Sequence, residues 1–156
     1  MLVRDPSIAP STFKVANYFI RKSGGSFSHL KLQKSIYLAQ LLSLGVRKKA
    51  LIEEDFQAWE YGPVLPALYH KLKSYGSSPV HSVIGSTEEE QFNDDEQRLL
   101  DSVYDIVKQL SPGALVSITH QAKGAWDKNY APGLKGRVIP KEDIQEEYKL
   151  FVNEPA

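Results

Sequence analysis

The side chains in this chain that could do chemistry are four histidines, two adjacent acidic pairs and a scatter of serines. His29, His70, His81 and His120 show no metal-ligand spacing: there is no H-E-x-x-H and no His/Asp pair on one helical face. Cysteine is absent, so thiolate chemistry and disulfides are excluded, and zinc could be held only by histidine and carboxylates. Glu53-Glu54 and Asp94-Asp95 read as solvated faces or helix N-terminal charge, not as paired catalytic carboxylates. No glycine-rich loop follows a strand, so no phosphate cradle is expected, and no serine sits in a G-x-S-x-G elbow. The expectation is a protein that is no enzyme and uses no cofactor.

What remains is chemistry of recognition. Lys31 and Lys34 lie one turn apart in the run from Leu30 to Leu44, and Arg47, Lys48, Lys49, Lys71 and Lys73 follow. They could meet nucleic acid, but a DNA reader carries a stronger basic excess, and a solvated basic face is the favoured reading. Trp59 with Tyr61, and Thr119-His120 with Trp126, are the polar-aromatic groups that stand out. Buried, they would form a hydrogen-bonded cluster joining the middle of the chain to its last third, the favoured reading. Exposed beside Pro63, they would form a recognition surface, since tryptophan and tyrosine are typical binding anchors.

Helices must position these groups. At 100° per residue, the Leu30–Leu44 run places apolar side chains on nearly opposite sides, so it should be a central helix surrounded by other elements. Ser28 is its expected N-cap, Phe27 and Leu32 a hydrophobic staple, and Gly45 its C′ residue. A first helix is expected over Thr12 to Lys22, entered at Pro10-Ser11 and stopped by Ser23-Gly24-Gly25. Arg47 to Ile52 reads as a polar connection, Phe56 to Trp59 as extended chain or a short helical turn, and Tyr61-Gly62-Pro63 as a turn. Leu65, Leu68, Tyr69, Leu72 and Tyr75 give a helical stripe closed by Gly76.

Ser77 to Phe92 reads as a loop with the acidic run Glu88-Glu89-Glu90 and a short strand at Val80 to Ile84. Asn93 and Glu96 form a capping box for a helix in which Leu99, Val103, Ile106 and Leu110 line one row, with Leu100, Tyr104 and Val107 beside it. Ser111-Pro112 opens a shorter helix, which Gly124-Ala125-Trp126 ends, and a loop follows from Ala131 to Gly136. Pro140 opens the last helix, with Ile144, Tyr148 and Phe151 on its buried face. The fold class is therefore all-α, with at most one minor pair of short strands: one domain over residues 1–156, core about 12–152, wrapped around a buried central helix.

Composition agrees. The 156 residues suit one core, and 42% apolar with 24% charged residues is globular, not disordered, composition. Met1 to Pro10 lacks a signal-peptide core, and no window approaches the ~18 apolar residues of a membrane span, so a cytoplasmic protein is expected. The charge is zero overall but split: residues 1–76 hold 11 Lys/Arg against 5 Asp/Glu, and residues 77–156 hold 8 against 14. Either the halves neutralise each other on folding, which is favoured, or a basic face stays free for an acidic partner.

Leu30-Lys31-Leu32-Gln33-Lys34 with Ile36-Tyr37-Leu38-Ala39-Gln40, then Ala58-Trp59-Glu60-Tyr61-Gly62-Pro63-Val64 with Leu68-Tyr69, and finally Thr119-His120 with Trp126 together resemble the Panacea domain, the SocA-like or phage-associated GepA-type family. The resemblance runs from about Phe13 to Phe151. It departs at Leu38, where members often carry an aromatic residue, and at Ala125, where a proline commonly precedes the tryptophan. The resemblance implies a mostly helical antitoxin, encoded in bacteria and their phages, that binds and neutralises a cognate toxin. The SocA-like branch also implies a second reading, an adaptor delivering the toxin to a Clp protease. A third reading, which the resemblance does not supply, is a DNA-binding autoregulator of its own operon. The candidate partner-binding residues are Lys31, Lys34, Tyr61, Pro63, His120 and Trp126.

Overall fold

The computed structural model describes residues 10–85, 91–134 and 136–152; the readings at Met1 to Ala9 and at Glu88-Glu89-Glu90 lie outside them. Helix α1 (Thr12–Lys22) starts on Ser11, whose Oγ accepts from Lys14 N, as the local sequence requires. Helix α2 (His29–Leu42) is capped the same way by Ser28. Every residue from Leu32 to Leu41 is buried, because α1, α3 (Pro66–Leu72), α4 (Asp94–Val107), α5 (Pro112–Thr119) and α7 (Lys141–Val152) all pack on α2. The short α6 (Ala125–Asn129) packs on α7. Strands β1 (Gln57–Trp59), β2 (Gly62–Val64) and β3 (Arg137–Val138) form an antiparallel sheet in the order β2-β1-β3.

A helix buried on all sides must dispose of its polar side chains, and α2 uses two of them to bind backbone. Gln40 accepts from Leu51 N (2.7 Å) and Ile52 N (3.1 Å) and donates to Ile52 O (3.0 Å). Gln33, two turns earlier on the same face, accepts from Leu65 N and donates to Leu65 O. These amides stand in for a strand partner and fasten both ends of the segment that carries the hairpin. Asn17 of α1 does likewise with Ile84 N and O, anchoring the long loop.

Several local expectations are overturned by tertiary contacts. Gly45 does not end α2. The helix continues as a π-helical turn (Ser43–Arg47), and Lys48 at φ 61° closes it. A Cβ on Gly45 would lie 2.1 Å from the Tyr148 ring, so this glycine is a seat for α7. The connection after Arg47 is not polar throughout, since Leu51 and Ile52 are wholly buried. Gly62 and Pro63 belong to β2, and the turn is Glu60-Tyr61. Val80 to Ile84 forms no strand; Val80 and Ile84 are buried anchors of a loop.

In α4 the capping box forms, but the buried row is Glu96, Leu100, Val103 and Val107, leaving Ile106 exposed. Gly124 does not end α5, which stops at Thr119; it is the N-cap of α6. Strand β3 carries no sequence signal, being two exposed residues long. In α7 the fully buried residues are Ile144 and Glu147, with Tyr148 and Phe151 half-buried. Glu147 accepts from the Tyr37 hydroxyl and from Ala125 N, tying α2, α6 and α7 together.

Candidate functional site

Residues scattered between α2 and α6 meet at the β1–β2 hairpin. Trp59 pairs with Gly62 across the two-residue turn, which places the Tyr61 side chain at the tip, 74% exposed. Beneath the tip lies Lys34, 1% exposed, whose ammonium donates to the Tyr61 carbonyl at 3.0 Å. The approach needs Gly62: with φ 120°, a Cβ there would stand 2.3 Å from Lys34 Nζ and within 3.3 Å of the His120 ring. No other residue type fits without moving the lysine.

Lys34 is electrostatically exposed in a different sense. Among the described residues no carboxylate lies within ion-pairing distance of it, and its hydrogen-bond acceptor is a neutral carbonyl. Burial therefore pushes the ammonium down to about 8. His120 donates from Nδ1 to Val116 O (2.8 Å), since a carbonyl can only accept. Burial lowers the His120 pKa, and the Lys34 charge adds to the lowering against the Val116 bond.

Aromatic rings complete the corner. Trp126 meets His120 edge-on at 4.2 Å, stacks on Tyr130 at 4.8 Å, and donates from Nε1 to Trp59 O at 2.7 Å. That bond ties α6 to β1, so Trp126 braces the hairpin from behind. Trp59 packs edge-on against Tyr69 of α3, and Tyr69 against His29 at the start of α2. In front, α2, the hairpin and residues 130–134 border a cleft of about 630 Å³, lined among others by Lys34, Trp59, Tyr61, Tyr69, Tyr130 and Leu134, the last 54% exposed.

Of the six residues marked in the sequence, five therefore gather here. Tyr61 is exposed, His120 and Trp126 are half-buried, and Lys34 and Pro63 are buried. Lys31 is apart: its ammonium sits 4.6 Å over the Phe27 ring and donates to Leu110 O, the carbonyl leading into α5. Lys31 and Lys34 thus do not form a solvated basic face. The residues missed were the cleft's own walls, His29, Tyr69, Tyr130 and Leu134; the aromatic cluster Trp59–Tyr69 was the available signal. Among the described residues no group of three or more His, Asp or Glu is arranged to hold a metal ion, and no helix is long and apolar enough to cross a membrane.

The scaffold is mostly helical and presents a braced aromatic hairpin beside a largely apolar cleft. A family model described as antitoxin SocA-like, Panacea domain, matches residues 32–127, and the chain belongs to that family. Antitoxin SocA of Caulobacter vibrioides (strain NA1000 / CB15N) is 25% identical over 142 residues, covering 81% of this chain and 73% of the relative. No solved structure matches. The matched segment takes in Lys34, the hairpin, His120 and Trp126, while the Leu134 lip, β3 and α7 lie outside it.

Proposed function

We propose that this chain is the antitoxin of a toxin–antitoxin pair, acting in the cytoplasm as one domain and neutralising its toxin by direct stoichiometric binding. The observation that carries the reading is the exposed Tyr61 on a hairpin tip held rigid by Lys34, His120 and Trp126. A hairpin tip whose backbone is held in place before binding loses little backbone freedom on contact, and it carries a large exposed aromatic side chain of the kind that anchors interfaces. Pro63, His120, Trp126 and Lys34 act as its support, and Tyr61 as the contact. Membership of an antitoxin family gives the reading its biological sense.

The experiment is co-expression with the product of the neighbouring reading frame. Expected are rescue of growth and a complex that survives purification without any protease subunit. Tyr61→Ala should lower rescue while the isolated chain keeps its helical circular dichroism. A neighbour that is not toxic, or a toxin that is never retained by the chain, overturns the reading. Retention only in the presence of the Clp unfoldase would convert it to the adaptor reading.

A further inference from the structure

We propose that the cleft between α2, the hairpin and residues 130–134 receives a carboxylate side chain of the toxin, which pairs with the Lys34 ammonium between aromatic walls. This deepens the antitoxin reading and rests on it. Three observations converge. Lys34 lines the cleft, is 1% exposed, and its charge meets no carboxylate among the described residues. An ammonium offers three donors, and the bond to the Tyr61 carbonyl uses one of them. Buried cations in stable folds are ordinarily paired, so an unmatched one beside a cavity is charge-complementary to an incoming anion.

The occupant is argued to be a protein side chain from the rim. Tyr61 at 74% and Leu134 at 54% exposure put two large apolar groups at the lips of the cleft, so the sticky surface continues outside it. A free small carboxylate would gain nothing from those lips, whereas a chain laid across them covers both and inserts one residue between. A volume of about 630 Å³ holds one or two side chains, not a folded element.

The test measures binding of the full chain to the neighbouring-frame toxin by calorimetry. Lys34→Met keeps the stem and removes the charge; it should fold, and should weaken binding about thirtyfold or more, the low end for breaking a buried charge pair. Each toxin Asp and Glu is then replaced by Asn or Gln. One replacement should cause the same loss and add nothing to Lys34→Met. The lip gives an independent arm, since Leu134→Glu should repel the incoming carboxylate and Leu134→Lys should not.

Wild-type affinity for Lys34→Met, additivity with every toxin variant, or equal binding by the two Leu134 variants overturns the cleft proposal while leaving the antitoxin reading intact. Should Lys34→Met fail to fold, the Leu134 pair decides alone. A wild-type chain that binds no toxin sinks the antitoxin reading itself. Loss of binding to upstream duplex DNA in Lys34→Met, with toxin binding unchanged, assigns the cleft to phosphate instead and overturns the proposal.

Discussion

Two stretches of the same buried helix treat their polar side chains in opposite ways. At Gln40, on the side facing the Leu51-Ile52 connection, one amide satisfies three backbone groups. One residue after Gln33, whose amide satisfies both the N–H and the carbonyl of Leu65, Lys34 carries a full charge into the interior and finds one carbonyl. Both are buried, and both come from an almost featureless apolar run. Matched groups hold the architecture. An unmatched one is a cost the fold tolerates only where something else is gained, and here it lies at the cleft.

The comparison can be broken from the matched side first. Gln40→Leu leaves two buried N–H groups and a carbonyl without partners, at 1–3 kcal/mol each less some relaxation, so about 4 kcal/mol of stability should be lost in urea unfolding. A loss under about 1 kcal/mol would mean that the clamp is ornamental. Gly45→Ala forces a methyl into the Tyr148 ring and should cost about 3 kcal/mol. Combining it with Tyr148→Ala should recover part of that, because the clash is removed; simple additivity would refute the seat.

From the unmatched side, Lys34→Met should stabilise the free chain at pH 7 by about 2 kcal/mol, since it removes an uncompensated buried charge. The pH dependence follows from the depressed pKa. Between about 8 and the ordinary 10.5, the unfolded chain binds the proton that the folded chain has released. The wild type's stability should therefore rise with pH across that window, relative to Lys34→Met, by up to about 3 kcal/mol. Tyr37, held protonated by burial and by Glu147, acts oppositely above its ordinary value of 10.0, which is why the difference between the two proteins is the quantity to measure. A flat difference from pH 7 to 10 would show that the ammonium is compensated after all.

The smallest effect on folding should come at the tip. Tyr61→Ala removes a side chain that is 74% exposed and should change stability by less than about 0.5 kcal/mol, while toxin binding falls by roughly tenfold or more. The pair of numbers sharpens the contrast between support and contact. Trp126→Ala should do the reverse of Tyr61→Ala, destabilising the chain through its lost bond to Trp59 O and its lost ring contacts.

How much of this could be read beforehand depended on the range of the interaction. Ser11, Ser28, Asn93 with Glu96, and Ser111-Pro112 marked four helix starts correctly, since each cap bonds a backbone N–H three residues away. The hairpin motif and Trp126 were picked out as belonging together, and they do meet. Gly45 was misread as a stop because the ring that demands a glycine there lies in α7, a hundred residues on. In α4 the apolar face holds with Leu100, Val103 and Val107 buried, but Ile106 at its edge is exposed, because two adjacent rows are apolar and only the neighbouring elements choose how far the buried face extends.

By itself, then, the sequence determined that α2 would be enclosed, where most helices begin, and that the chain carries no cysteine and neither a P-loop nor a zincin motif, for these depend on residue type and near-neighbour spacing. Only the tertiary structure decided that Lys34 is interior, that Lys31 caps a carbonyl, and that Tyr61 alone of the six marked residues stands fully in solvent. Burial is a property of what packs from afar. An ammonium on a helix looks the same in sequence whether it faces water or the underside of a hairpin, and the difference between those two settings is the electrostatics on which this protein's recognition is argued to turn.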